Sequence, residues 1–274
     1  MKISTGTLIF NSSMTLPKGM LLAQLRHLYS FADEIFITEG ATKVTGDHYW
    51  DGDTTWATKD GHSTDDTLQI IESFPDPDNK ITVIKKDGFW NGKTEMCNEW
   101  SKRATGDYLW QIDADEFYLE EDIKKIKWML EKHEPDAVHF FANHFWGDFD
   151  HCINETTGGG WGNDIPWRRI FRHLPGAKWL SHEPPDYQLP DGKICNQCSV
   201  IPRQETLRAG IKMHHYSCVC KEQIDFKTKF FKNSIYLQLW KKWKENNNCR
   251  LLEGSRTVEF KEKHPIFVEN IKYN

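Results

Sequence analysis

The stretch Gly106-Asp107-Tyr108-Leu109-Trp110-Gln111-Ile112-Asp113-Ala114-Asp115-Glu116 has the length and aromatic and β-branched content of a buried strand and ends in acids. Residues two apart on an extended backbone face the same way. Asp113 and Asp115 are therefore expected to converge on one hard divalent cation, or to divide between a cation and a ribose hydroxyl. That is chemistry suited to a diphosphate.

The spacing alone is cheap, because Asp-x-Asp also occurs at Asp51/Asp53, Asp76/Asp78 and Asp148/Asp150. Only the copy at Asp113 directly follows a strand-like run, and ligands of open α/β sheets collect at the carboxyl ends of strands. The chain has 274 residues, enough for one large α/β domain or a domain with a helical appendage. Its net charge of −5 provides no basic field for nucleic acid. A mean hydropathy of −0.66, with no apolar run near the length of a membrane span, predicts no transmembrane segment. The start MKISTGTLIFNSS lacks a signal-peptide core, so a cytoplasmic location is expected. Seven cysteines, an odd number, argue for reduced thiols or a metal rather than a complete disulfide framework. Twelve tryptophans supply indole faces that could stack on sugars, though most such residues are core.

Outward from the acidic run, the pattern reads as alternating strands and helices. Strands are expected at Thr5–Phe10, Glu34–Thr38 and Lys80–Lys85, and helices at Pro17–Tyr29, from Ser63-Thr64-Asp65-Asp66 to Phe74, and at Lys93–Ala104. A Ser or Thr oxygen is expected to cap the second of these helices. This β-α-β alternation predicts a mostly parallel central sheet flanked by helices. Further on, a helix is expected at Leu119–Lys132, strands at Ala137–Trp146, Trp167–Arg172, Ala177–Ser181 and Ile211–Tyr216, and one helix from Lys221 to about Asn246. Residues 41–62 read as an inserted loop, and the glycines of 158–162 as a lid or a loose loop.

In order along the chain stand Glu39, Ser63-Thr64-Asp65-Asp66-Thr67, Cys97-Asn98, Asp113-Ala114-Asp115-Glu116, Arg169-Ile170-Phe171-Arg172 with Gly176 and His182-Glu183, and His215-Tyr216-Ser217. Together they resemble the metal-dependent glycosyltransferases of GT-A fold and family-two type, over about residues 3–217. The departures are the insertion after Glu39, Asp66 for the family's Gly, Cys97 for its Arg and Ser217 for its Gly. Because Cys97 replaces a nucleotide-contacting Arg, Lys93 or Arg103 are candidate substitutes.

The resemblance implies a GT-A (Rossmann-like) catalytic domain over 1–217, with a nucleotide-binding half at 1–115 and an acceptor half at 116–217, followed by a C-terminal helical extension at 218–274. It implies transfer of a hexosyl or pentosyl group from a UDP- or GDP-linked sugar to a glycan, glycolipid or glycoprotein hydroxyl, with inversion. Such a transfer leaves negative charge on the departing phosphate, which a cation must offset. The implied ligands of Mn²⁺ or Mg²⁺ are Asp113, Asp115 and His215, with His214 the alternative one residue away, and imidazole favours manganese. Glu39, Asp65, Asn98, Asp113 and Arg169 would line the donor pocket, with Arg168 and Arg172 as further phosphate or acceptor contacts. Glu183 would be the base that takes the acceptor proton, and His182 a positioning group or an alternative base.

Two other readings compete. Cys195, Cys198, Cys218 and Cys220, near His214 and His215, have a spacing that could bind structural zinc. A nucleotidyltransferase would need a glycine-rich basic loop where Asn11-Ser12-Ser13-Met14 stands, and a tryptophan-rich carbohydrate-binding protein would need no catalytic acid.

Overall fold

The computed structural model of the protein describes residues 1–43, 56–153, 166–230, 233–246 and 256–272. The first half runs β1 (Ile3–Ile9), α1 (Ser12–Thr15), α2 (Met20–Tyr29), β2 (Glu34–Glu39), α3 (Thr67–Glu72), β3 (Ile81–Ile84), α4 (Lys93–Ser101) and β4 (Tyr108–Gln111). There follow β5 (Glu116–Phe117), α5 (Glu120–His133), β6 (Ala137–Phe140), β7 (Ala142–Trp146), β8 (His151–Ile153), β9 (Trp167–Arg172), β10 (Lys178–His182) and β11 (Pro185–Gln188). The last part comprises β12 (Val200–Ile201), α6 (Arg203–Arg208), β13 (Met213–Cys218), α7 (Lys221–Phe230), α8 (Ile235–Glu245), β14 (Thr257–Glu259) and α9 (Ile266–Glu269).

Seven strands form the central sheet in the order β12-β6-β9-β4-β1-β2-β3. Every pairing in it is parallel except the two made by β9, which runs against β4 and β6. This is the mostly parallel α/β sheet that the alternation predicts. A second sheet, β14-β8-β7-β13-β5, stands beside it. The strand expected at Ala137–Trp146 is divided at Phe141, with β6 in the first sheet and β7 in the second. The acidic segment makes the other crossing, from β4 into β5. Apolar periodicity does not register such a change of sheet, because both halves are equally buried.

Two aromatic clusters pack on the central sheet. In one, Trp110 meets Phe31 and Tyr118 at ring separations of 5.0 and 4.9 Å. In the other, Trp100 packs with Phe36 and Trp179. Most of the tryptophans are thus core, the commoner role of the residue. Gly6 is what lets Trp100 lie against β1, since a Cβ there would come within 2.1 Å of the indole.

Several local expectations are revised. Ser63 does not cap α3. Its hydroxyl accepts from the Asn11 amide at 2.9 Å, and Asp65 accepts from Thr67 N at 3.1 Å instead. The helix expected from Lys221 onward comes as two, α7 and α8. The C-terminal helical extension also carries β14, which pairs with β8, and Trp240 and Trp243 of α8 pack with Trp146 and Ile153 of the second sheet. The glycine stretch at 158–162 lies outside the described residues, as does most of the inserted loop. Among the described residues no helix is long and apolar enough to cross a membrane.

Gly6→Ala should lower unfolding free energy by about 1–3 kcal/mol, because the added methyl must displace a fully buried indole in a packed core. Urea denaturation checks this, and an unchanged midpoint would refute the close packing of Trp100 on β1.

Candidate active site

The acids after β4 do not continue as a strand. Glu116 N donates to Asp113 O at 3.0 Å, closing a tight turn that carries the chain to the second sheet. Asp113 and Asp115 therefore do not share one face of an extended backbone, as their spacing predicts. Each takes its own partner, and both line one cavity of about 520 Å³ at the carboxyl ends of β1, β2 and β4. Asp113 Oδ2 lies 3.4 Å from Arg169 Nη2. Burial works against its charge, yet the Arg169 guanidinium and the Lys93 ammonium hold its carboxyl below the ordinary value. Asp115 Oδ1 lies 3.5 Å from His215 Nε2. Burial again opposes ionisation there, and His215 and Lys227 outweigh it.

The described copies of Asp-x-Asp elsewhere are local anchors. Asp76 accepts from Lys80 N and Ile81 N, and Asp148 from Asp150 N. Asp51 and Asp53 lie outside the described residues.

Under the acidic turn sits a buried ion pair. Arg169, on β9, donates through Nε to Glu116 Oε2 at 2.8 Å and through Nη2 to Glu116 Oε1. Glu116 is fully buried and Arg169 only 5% exposed. Burial disfavours the Arg169 charge, but the Glu116 and Asp113 carboxylates more than compensate and lock it on. Two of its donors are spent on Glu116, so Arg169 organises the acids before it can contact any ligand.

Strand alternation separates the two neighbouring histidines. On β13, His215 stands beside Asp115 and is packed by His144 and Trp167 at ring separations of 4.6 and 5.1 Å. His214 faces the other way, into Phe145 and Phe260, where burial pushes its imidazole down to about 3. Asp115 and His215 fit a divalent cation: a carboxylate and an imidazole nitrogen at adjacent-ligand spacing, both opening on the cavity. Among the described residues no three such side chains stand assembled around one point. Asp113 is turned toward Arg169 instead.

Another wall of the cavity comes from the β10–β11 hairpin, whose two-residue turn is Glu183-Pro184, joined by a cis peptide bond. Glu183 is exposed and lines the cavity, as do His182, Arg168 and Trp167. Gln111 Nε2 stands 3.0 Å from His182 Nε2. Burial, aided by the Lys93 charge, pushes the His182 imidazole down to about 3. Neutral His182 is therefore a poor proton acceptor. Arg168 donates to Asp186 at 2.6 Å.

The remaining expected residues are placed elsewhere. Glu39 is fully buried and accepts from His62 Nδ1 at 2.8 Å and Ser63 N at 2.7 Å, tying β2 to the inserted loop. Asp65 accepts from Met14 N and Thr67 N. Asn98 bridges α4 to β10 by bonds to both the N–H and the C=O of Trp179. None of the three lines the cavity. Arg172 pairs with Asp136 and Arg103 with Glu99, away from the acids, whereas Lys93 does line the cavity. Cys97 is buried in the core, as is Cys195, which belongs to a different cluster from Cys218. Among the described residues, no three His, Cys, Asp or Glu side chains, these cysteines included, are grouped to hold a metal.

Sequence reading missed Lys227, Phe226 and Tyr236, which reach the cavity from the C-terminal helices. Helical periodicity marked that segment as lysine-rich, and nothing local told which lysine turns inward. Arg169→Met should strand the Glu116 carboxylate and cost about 3–5 kcal/mol, with Arg169→Lys recovering only part because it lacks the planar fork. Chemical denaturation of the three proteins would measure this, and a neutral Arg169→Met would refute the pairing.

Residues 49–182 match a family model described as "Glycosyl transferase family 2". Among solved structures, the chain is similar to TarS from S. aureus in complex with UDP-GlcNAc, at 18% identity and a TM-score of 0.39, covering 63% of this chain and 45% of that one. It is also similar to the mannosyltransferase PcManGT from Pyrobaculum calidifontis in complex with GDP-Man and Mn²⁺, at 18% identity and a TM-score of 0.36, covering 52% and 35%. A third is the bifunctional IspDF from Campylobacter jejuni, at 10% identity and a TM-score of 0.35, covering 63% and 41%. The chain thus spans less than half the length of these proteins. No curated protein matches it. The likeness to glycosyl transferase family 2 thus rests on residues 49–182, a little under half of the chain, set in an α/β architecture.

Proposed function

We propose that this protein transfers a sugar from a nucleoside-diphosphate donor, UDP- or GDP-linked, to a hydroxyl acceptor with inversion at the anomeric carbon. The observation that carries this reading is the acidic turn: Asp113 and Asp115 open, with His215, on the same cavity as the exposed Glu183. The match to glycosyl transferase family 2 over residues 49–182 supports it.

In such a transfer the bond from the anomeric carbon to the β-phosphate oxygen breaks and its electron pair leaves with the phosphate. A new bond forms from the acceptor oxygen, whose proton passes to a base. Glu183 is suited to be that base, because its carboxyl stands exposed at a hairpin tip that lines the cavity. His182, neutral and fixed by Gln111, shapes the wall beside Glu183 without competing for the proton. Trp167, beside His215, gives a sugar ring an aromatic face. Asp115 and His215 would hold Mn²⁺ or Mg²⁺, with Asp113 beside them, and the bound ion would supply Lewis-acid neutralisation of the leaving phosphate. Asp113, kept charged by Arg169, is free on its exposed side to accept from a ribose hydroxyl. The cytoplasmic location and a glycan, glycolipid or glycoprotein acceptor remain part of this proposal.

A panel of nucleotide sugars should include at least one UDP- or GDP-sugar that raises the melting temperature in a manganese-dependent way, since a ligand of the native state stabilises it by mass action. Asp115→Asn should abolish the manganese-dependent part. Glu183→Gln should keep donor binding and lower kcat by about 10²–10⁴-fold, the usual contribution of a general base. Stabilisation that is absent for every donor, or insensitive to Asp115→Asn, would contradict the reading.

A further inference from the structure

Helix α7 presents one stripe of side chains, Gln223, Phe226, Lys227 and Phe230, at helical spacing. Its start is pinned to β13: Gln223 Oε1 accepts from Val219 N at 2.8 Å, and Gln223 Nε2 donates to Tyr216 O at 2.6 Å. Its middle is pinned to the inserted loop, with Phe226 edge-on to Trp56 at 5.5 Å and Lys229 over the same indole at 5.1 Å. Lys227 lies one turn beyond Gln223, between these anchors, and lines the cavity with Asp113, Asp115 and His215.

Its neighbours Lys221 and Lys229 are engaged, one with Asp225 and the other with Trp56. Lys227 is only partly exposed, yet among the described residues its ammonium makes no direct ion pair or hydrogen bond, although its charge is felt at Asp115. Burial works against the Lys227 ammonium, but the groups facing it, Asp115 and Asp113 among them, outweigh that and keep it charged without touching it, so its donors stay available to a ligand in the cavity. The cavity into which it points is the one where the donor's diphosphate would sit.

We propose that Lys227 is a catalytic residue that binds the donor diphosphate from the α7 side, donating a hydrogen bond to the leaving phosphate. This rests on the glycosyl-transfer reading above. When the bond to the anomeric carbon breaks, the electron pair passes to the phosphate oxygen; Lys227 keeps its proton and offsets the new charge, and the acceptor's proton goes to Glu183. The C-terminal region is then part of the donor site.

The test uses the full chain and calorimetric titration with UDP, GDP, UMP and GMP in the presence of manganese, and with inorganic pyrophosphate. Lys227→Met should weaken the tighter nucleoside diphosphate and pyrophosphate by about tenfold or more, and the corresponding monophosphate by less than about threefold, as loss of a charge-assisted bond to the outer phosphate requires. Lys227→Arg should stay within about threefold of wild type, and the melting temperature of Lys227→Met without ligand should be maintained. Equal diphosphate binding by Lys227→Met, equal weakening of mono- and diphosphates, or a folded Lys227→Arg that loses diphosphate binding would each overturn the assignment. Wild type that binds neither UDP nor GDP would overturn the glycosyl-transfer reading itself, and this inference with it.

Discussion

The buried pair between Arg169 and Glu116 is the constraint on which the site depends. Glu116 begins β5 in the second sheet, and Arg169 lies on β9, the antiparallel strand of the first. Their bidentate contact therefore joins the two sheets across the seam where the chain turns, and it does so in a place with almost no water. Neither charge could remain there alone, because desolvating an unpaired ion costs several kcal/mol. With Glu116 fixed, the turn that precedes it is fixed as well, since Glu116 Oε2 also accepts from Asp113 N at 3.1 Å. The remaining Arg169 donor reaches Asp113, so one guanidinium both shapes the turn and keeps the first acid ionised.

From that seam the rest of the cavity follows. Strand β13 pairs with β5, with His215 opposite Glu116, which brings His215 beside Asp115 and sends His214 into the core. Asn98, expected as a nucleotide contact, instead clamps β10 and so sets the height of the hairpin that carries His182 and Glu183. Glu39 holds the edge of the inserted loop, on whose Trp56 helix α7 rests. Glu39 and Asn98, whose order in the chain suggested direct contact with a ligand, lie outside the cavity lining and instead place elements that line it.

The parallel first half was legible because apolar runs of strand length alternate with helical periodicity, and each such element is specified locally. The acidic turn and Glu183 could be picked out as candidates because they directly follow strand-like runs, whereas His215 was implied by the family resemblance alone. What could not be read was the partner of each group. Asp113 and Asp115 look equivalent on an extended chain, and a single hydrogen bond, Glu116 N to Asp113 O, makes them diverge. Likewise the division of 137–146 between two sheets leaves no mark in a stretch that is buried throughout.

By itself the sequence determined the α/β class, the order of the elements and the cluster of acids at the end of β4, because these depend on patterns spanning a few residues. Only the tertiary structure decided which charges neutralise one another, which of two histidines faces the cavity, and that a lysine more than a hundred residues from the acids lines the same cavity. Electrostatic partners are set by distance in space and by the loss of water around them, and neither quantity is written in local sequence.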